Sequence, residues 1–216
     1  MVNELVIAYF LPIIFLIVFL DVPGRRVLLF LFWGFLVAIP AALLEPSLAT
    51  LFPEVLYPEI TLSPVIEEFL KALPVMLLAF TGIHSRDKQI LSMAMASGIG
   101  FAIIENISVL SPLGTSFAGI AARSFSTALM HGCTTALIGY GVFLLRDVNR
   151  QALFSLLFGF FTLAVTIHAF FNLFVTSGIP SFELIGFIFP FPLFLFLLVL
   201  YQIDIRTIIS PPQPAS

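Results

Sequence analysis

The chain has 216 residues, of which 60% are apolar and only 10% charged, with a net charge of −3. Soluble domains carry roughly 25% charged residues, so this composition excludes a water-soluble enzyme or a nucleic-acid-binding module and points to an integral membrane protein. One cysteine, Cys133, excludes an intramolecular disulfide, and no Cys/His cluster has structural-zinc spacing.

Apolar runs long enough to cross a bilayer account for most of the length, which predicts an all-α, polytopic chain with about seven membrane helices. The first runs from about Leu5 to Leu20. It has no basic residue before it and no small-residue cleavage pattern after it, so it reads as a retained helix and not a signal peptide. The second follows Pro23-Gly24-Arg25-Arg26 and covers about Val27 to Leu44. From Glu45 to Ser63 three prolines and three glutamates predict a loop, with room for a short interfacial helix. The third run begins at Pro64 and reaches about Gly82; the fourth is Gln89 to Leu110, the fifth Ile120 to Leu145, the sixth Gln151 to Val175 and the seventh Leu184 to Tyr201. Residues 1–209 therefore read as one transmembrane domain and 210–216, rich in Pro and Ser, as a disordered tail.

Basic residues set the orientation, since they favour cytoplasmic loops. Arg25 and Arg26 follow the first run, Arg86 and Lys88 the third, Arg146 and Arg150 the fifth and Arg206 the seventh. The opposite loops hold Glu4, Glu45, Glu54, Glu59 and Glu183 and no Lys or Arg. This pattern predicts the N-terminus outside and the C-terminus in the cytoplasm of a multi-pass cell-membrane protein. Small residues at every fourth position, Ala94-Gly98-Ala102 and Ser124-Ala128-Gly132-Ala136, let the fourth and fifth helices pack closely and mark them as interior. The Phe-rich seventh run reads as peripheral, and Pro12, Pro74, Pro190 and Pro192 are expected to bend their helices.

Ionisable residues in such runs are expensive, about 2.5–3.5 kcal/mol each on insertion scales, and call for partners or a purpose. Glu67 and Glu68 stand at the head of the third run with Lys71 one turn on, placed to neutralise only one of them well. A wet helix start would also account for them, because Pro and carboxylates suit a first turn. With a rise of 1.5 Å per residue, however, Glu105 lies about 8 Å, His168 about 10 Å and His131 about 16 Å below the outer ends of their runs. Four runs thus bring ionisable groups to the outer half of the membrane, which predicts one shared polar cavity. Phe101 lies one turn from Glu105, Asn106 adds an amide beside it, and His168 and Asn172 share a helix face at i, i+4.

These residue types suit hydrolysis of an acyl bond. A carboxylate withdrawn from water is a more effective base, either Glu67 or Glu68; His168 and Asn172 can donate to an oxyanion, and His131 can orient water or protonate the leaving amine. The same set can hold zinc, with Glu105, His131 and His168 as ligands and Glu67 or Glu68 as base. A third use is non-enzymatic: a transporter or sensor that relays protons or binds a ligand through these groups. Cys133 points away from the His131 face and reads as packing, Arg123 as snorkelling outward or pairing with a glutamate, Thr134 and Thr135 as bonding back to their own helix, and His84 as a solvated loop residue.

Four motifs in order, Glu67-Glu68-Phe69-Leu70-Lys71, Phe101 through Glu105-Asn106, His131 with its downstream glycines, and His168 through Asn172, resemble the motif set of the PrsW family of intramembrane proteases, related to the CPBP group that includes the CAAX prenyl endopeptidase. The resemblance spans residues 64–175. It implies a multi-pass peptidase acting on membrane-tethered protein substrates, typified by an anti-sigma factor cut at an extracytoplasmic site, with catalytic roles for the glutamates and histidines and supporting roles for Lys71, Phe101 and Asn106. Where this chain has Glu105 the CAAX-type branch has histidine, which argues against prenyl-protein processing and leaves glutamate-only and zinc mechanisms open. Serine, aspartate and His-Glu-x-x-His protease signatures are absent from the sequence.

Overall fold

The computed structural model describes residues 21–81, 89–110, 117–144 and 150–202, and every regular element among them is helical. The first predicted run, the basic loop with His84, and the tail at 210–216 lie outside the described residues. The helices are α1 (Val22–Leu51), α2 (Pro58–Thr61), α3 (Ser63–Thr81), α4 (Gln89–Leu110), α5 (Phe117–Leu144), α6 (Arg150–Val175), α7 (Pro180–Ile188) and α8 (Pro190–Gln202).

Asp21 caps α1 by accepting from the Gly24 N–H at 2.9 Å, and Pro23 occupies the first turn, where its missing N–H is harmless. The sequence ends this helix near Leu44; the structure carries it through Pro40 and Pro46 to Leu51. Pro46 removes one backbone bond only, and hydroxyl bonds from Ser47 to the Leu43 carbonyl (2.7 Å) and from Thr50 to the Pro46 carbonyl (2.8 Å) reinforce the turns around it. Glu45 therefore belongs to a helix, where its Oε2 accepts from Ser63 Oγ at 2.8 Å and joins α1 to the start of α3. Tyr57, at φ 53°, turns the chain into α2. The seventh run starts earlier than the sequence suggests, at Pro180, and divides at Phe189, because Pro190 has no N–H with which to continue α7.

Five described helical stretches are long and apolar enough to cross a membrane: Val22–Leu51, Gln89–Ser108, Ile120–Leu144, Phe154–Val175 and Pro180–Gln202. α3 falls outside that set because of its charges, yet it packs against α1, α4, α5 and α6. The interior helices are α5 and α4, whose spanning windows are 83% and 61% buried, against 17% for α7–α8. Small residues make this possible: a Cβ on Gly98 would overlap the His131 carbonyl, and one on Gly34 the Ser97 carbonyl. Leu36, Leu43, Phe158 and Leu184 among others point outward and exposed, a surface whose natural solvent is hydrocarbon. Gln89 Nε2 donates to the Pro23 carbonyl at 2.8 Å, so α4 starts beside α1, at the end of the bundle opposite Glu45 and Ser63.

Candidate active site

The site starts from a defect in α3. Pro74 has no N–H to give the Leu70 carbonyl, and the Trp33 indole supplies the missing donor from α1 at 2.9 Å. One residue on, Ser97 Oγ of α4 donates to the Lys71 carbonyl at 2.8 Å. Two neighbouring helices thus fix the backbone of the turn that carries Glu67, Glu68 and Lys71.

Glu68 is fully buried, and its Oε1 accepts from Lys71 Nζ (2.7 Å), Thr134 Oγ1 (2.9 Å) and His168 Nδ1 (2.9 Å). Donors from three helices meet its charge on that one oxygen, while its Oε2 is buried without a hydrogen-bond partner. Glu67 has no such donors. Its Oε2 is buried without a hydrogen-bond partner and lies 3.7 Å from His131 Nδ1, 3.8 Å from His168 Nε2 and 3.9 Å from Lys71 Nζ.

Each histidine has one ring nitrogen on a carboxylate and the other turned toward Glu67. His168 gives Nδ1 to Glu68, and His131 gives Nε2 to Glu105 Oε2 at 2.6 Å. A neutral imidazole that donates from one nitrogen presents a lone pair on the other, so the outer carboxylates direct both lone pairs inward. The rings meet edge to face, 4.9 Å apart, with Phe101 tilted against His131 at 5.2 Å and under Lys71 Nζ at 5.0 Å. Lys71 Nζ itself lies 2.5 Å from His131 Nδ1.

The six ionisable residues singled out in the sequence therefore meet, but not in the expected arrangement. The candidate ligand atoms that converge, all within 4.8 Å of one another, belong to Glu67, His131 and His168. Glu105 is on the far side of the His131 ring and supports it, so the expected zinc set of Glu105, His131 and His168 changes by one carboxylate. The donor set fits zinc: two imidazole lone pairs, one orphaned carboxylate oxygen, and a carboxylate behind each imidazole. Glu105, with its side chain 30% exposed, is the member of the cluster nearest the bundle surface.

Asn172 does not join the cluster, because its Nδ2 donates to the Glu59 carbonyl at 2.8 Å and ties α6 to α2. Asn106 Oδ1 and Arg123 Nε are buried without partners; Arg123 makes no glutamate hydrogen bond from that atom. Cys133 packs among Ala136, Leu137 and Leu197, and Thr135 bonds back to the His131 carbonyl at 2.9 Å, as expected. Thr134 does this too, at 3.0 Å to the Met130 carbonyl, but also reaches Glu68. That second bond, together with Glu45, Trp33 and Ser97, escapes the sequence reading. A signal existed for two of them: Thr134 is one turn from His131 on the same face, and Pro74 announces a carbonyl at Leu70 in need of a donor.

Among curated proteins no match is found, and no solved structure matches either. A family model described as "PrsW family intramembrane metalloprotease" matches residues 22–201, a stretch that contains every helix described above except the last residue of α8. The chain belongs to the PrsW family of intramembrane proteases and is a membrane-embedded peptidase.

Proposed function

We propose that the chain hydrolyses peptide bonds of membrane-tethered protein substrates, anti-sigma-factor-like in topology, at the Glu67–His131–His168 cluster. The active site lies in the outer half of the cell membrane, in a seven-helix chain with its N-terminus outside. The observation that carries the reading is the pair of imidazole lone pairs aimed at one orphaned carboxylate oxygen, each imidazole backed by its own glutamate.

Glu67 Oε2, His131 Nδ1 and His168 Nε2 would hold zinc. A zinc ion there supplies an activated water and polarises the scissile carbonyl. Glu68 keeps His168 in the Nδ1–H tautomer, and Glu105 keeps His131 in the Nε2–H tautomer. With Glu67 as a ligand, Glu68 is left as the base, and its unpartnered Oε2 would take the proton of the attacking water and return it to the leaving amine. Phe101 and the walls of α3, α5 and α6 keep bulk water from the rest of the cluster. The test is metal content by mass spectrometry of the purified wild type and of Glu67→Gln, His131→Ala and His168→Ala. Stoichiometric zinc in the wild type and its loss in all three variants is expected; zinc retained by His168→Ala contradicts the ligand set.

A further inference from the structure

Lys71 is completely buried, and its ammonium stands among the atoms assigned to the metal. It lies 2.5 Å from His131 Nδ1, the lone pair that Glu105 directs inward, and 3.9 Å from Glu67 Oε2, the orphaned oxygen. Its remaining contacts are Glu68 Oε1 at 2.7 Å and the Phe101 ring at 5.0 Å. One lone pair cannot serve an N–H donor and a metal together, and two cations cannot share so small a pocket without strong repulsion.

We propose that Lys71 is a built-in competitor for the metal site, an ammonium latch on His131 Nδ1 that must swing aside before a divalent cation takes all three ligands. Glu68 does not need the lysine to stay in place, since Thr134 and His168 continue to donate to its Oε1. The four-carbon stem and rotatable ammonium make lysine suited to this exchange, and the Glu105 carboxylate, on the exposed side of the His131 ring, offers the displaced cation a second counter-charge nearer the bundle surface. Metal loading in this chain is therefore a cation exchange inside the membrane, weaker than the ligand set alone would give.

The inference rests on the reading of Glu67, His131 and His168 as ligands, and two comparisons separate it from that reading. In detergent-solubilised full-length protein, Zn²⁺ is titrated against a chelating indicator for the wild type, Lys71→Met, Glu68→Gln and the pair Lys71→Met/Glu68→Gln. Lys71→Met is expected to bind zinc at least about tenfold more tightly than the wild type, and the pair at least about tenfold more tightly than Glu68→Gln, the factor that one charge-assisted hydrogen bond represents. Unchanged or weaker binding in either comparison overturns the latch. If wild type binds zinc and His168→Ala does not, such a result leaves the ligand assignment standing; zinc binding by none of the proteins overturns both.

The unmutated chain gives a second readout that needs no variant to fold. Lys71 and Lys88 are its only lysines, so reductive methylation can be compared at two sites by mass spectrometry. Saturating Zn²⁺ is expected to raise the Lys71 to Lys88 labelling ratio at least about threefold, as the ammonium leaves His131. An unchanged ratio with zinc bound overturns the latch.

Discussion

Trp33→Phe removes an indole N–H together with part of the ring's packing, and the consequence of losing the N–H depends on a proline 41 positions away in the chain. The indole bonds the Leu70 carbonyl at 2.9 Å, which Pro74 has left without its helical donor. An orphaned buried carbonyl costs about 1–3 kcal/mol, and the partly buried setting places this one toward the lower end, about 1–2 kcal/mol. Pro74→Ala restores a backbone N–H to the same carbonyl, so in that background Trp33→Phe loses only packing. Packing loss is common to both backgrounds and cancels in a double-mutant cycle, leaving a coupling of about 1–2 kcal/mol. The assay is SDS-induced unfolding of the four proteins in mixed micelles, followed by circular dichroism, since Trp33 is the only tryptophan and its removal blanks the fluorescence. Zinc affinity should follow the same pattern, because Leu70 precedes Lys71 and sits on the turn that holds Glu67. Equal costs of Trp33→Phe in the two backgrounds, within about 0.5 kcal/mol, would refute the argument that the indole replaces the missing proline N–H.

Other substitutions test the packing and the buried carboxylate. Thr134→Val keeps the shape and removes one of three donors on Glu68 Oε1, and should lower stability by about 1.5–3 kcal/mol, while Thr134→Ser retains most of it; the same SDS titration decides. Gly98→Ala drives a methyl into the His131 backbone carbonyl and should destabilise by about 1–3 kcal/mol or more and weaken zinc binding. Gly159→Ala, with open space around it on α6, should instead raise stability by about 0.5–1 kcal/mol and leave metal content unchanged.

Ionisable residues in apolar helices were the most legible part of the chain. Glu67, Glu68, Lys71, Glu105, His131 and His168 are costly wherever lipid surrounds them, so their common depth was enough to bring them to one cavity. Depth and helical face do not say which carboxylate oxygen reaches which ring nitrogen. Glu105 thus changed from expected ligand to support for His131, and Glu67 took the inner place. Asn172 shares a face with His168, but α2, in the segment where the sequence leaves room for a short helix, captures its amide through the Glu59 carbonyl, a contact that no spacing announces. The three prolines and three glutamates from Glu45 to Ser63 predict a loop at Glu45, whereas the hydroxyls of Ser47 and Thr50 carry the helix across Pro46. Helix limits in α3 to α6 followed the apolar runs closely, since nothing but hydrocarbon length and Gly/Pro punctuation sets them.

Cleavage is the most direct test of the account. Purified wild-type protein and the His168→Ala variant, both shown to be folded by circular dichroism, are reconstituted with a panel of tagged single-span membrane proteins, and the products are mapped by mass spectrometry. The account predicts cleavage near the outer membrane face by the wild type, stopped by a chelator, restored by zinc and absent in His168→Ala. Cleavage that persists in His168→Ala, or that ignores the chelator in a protein free of zinc, would contradict it.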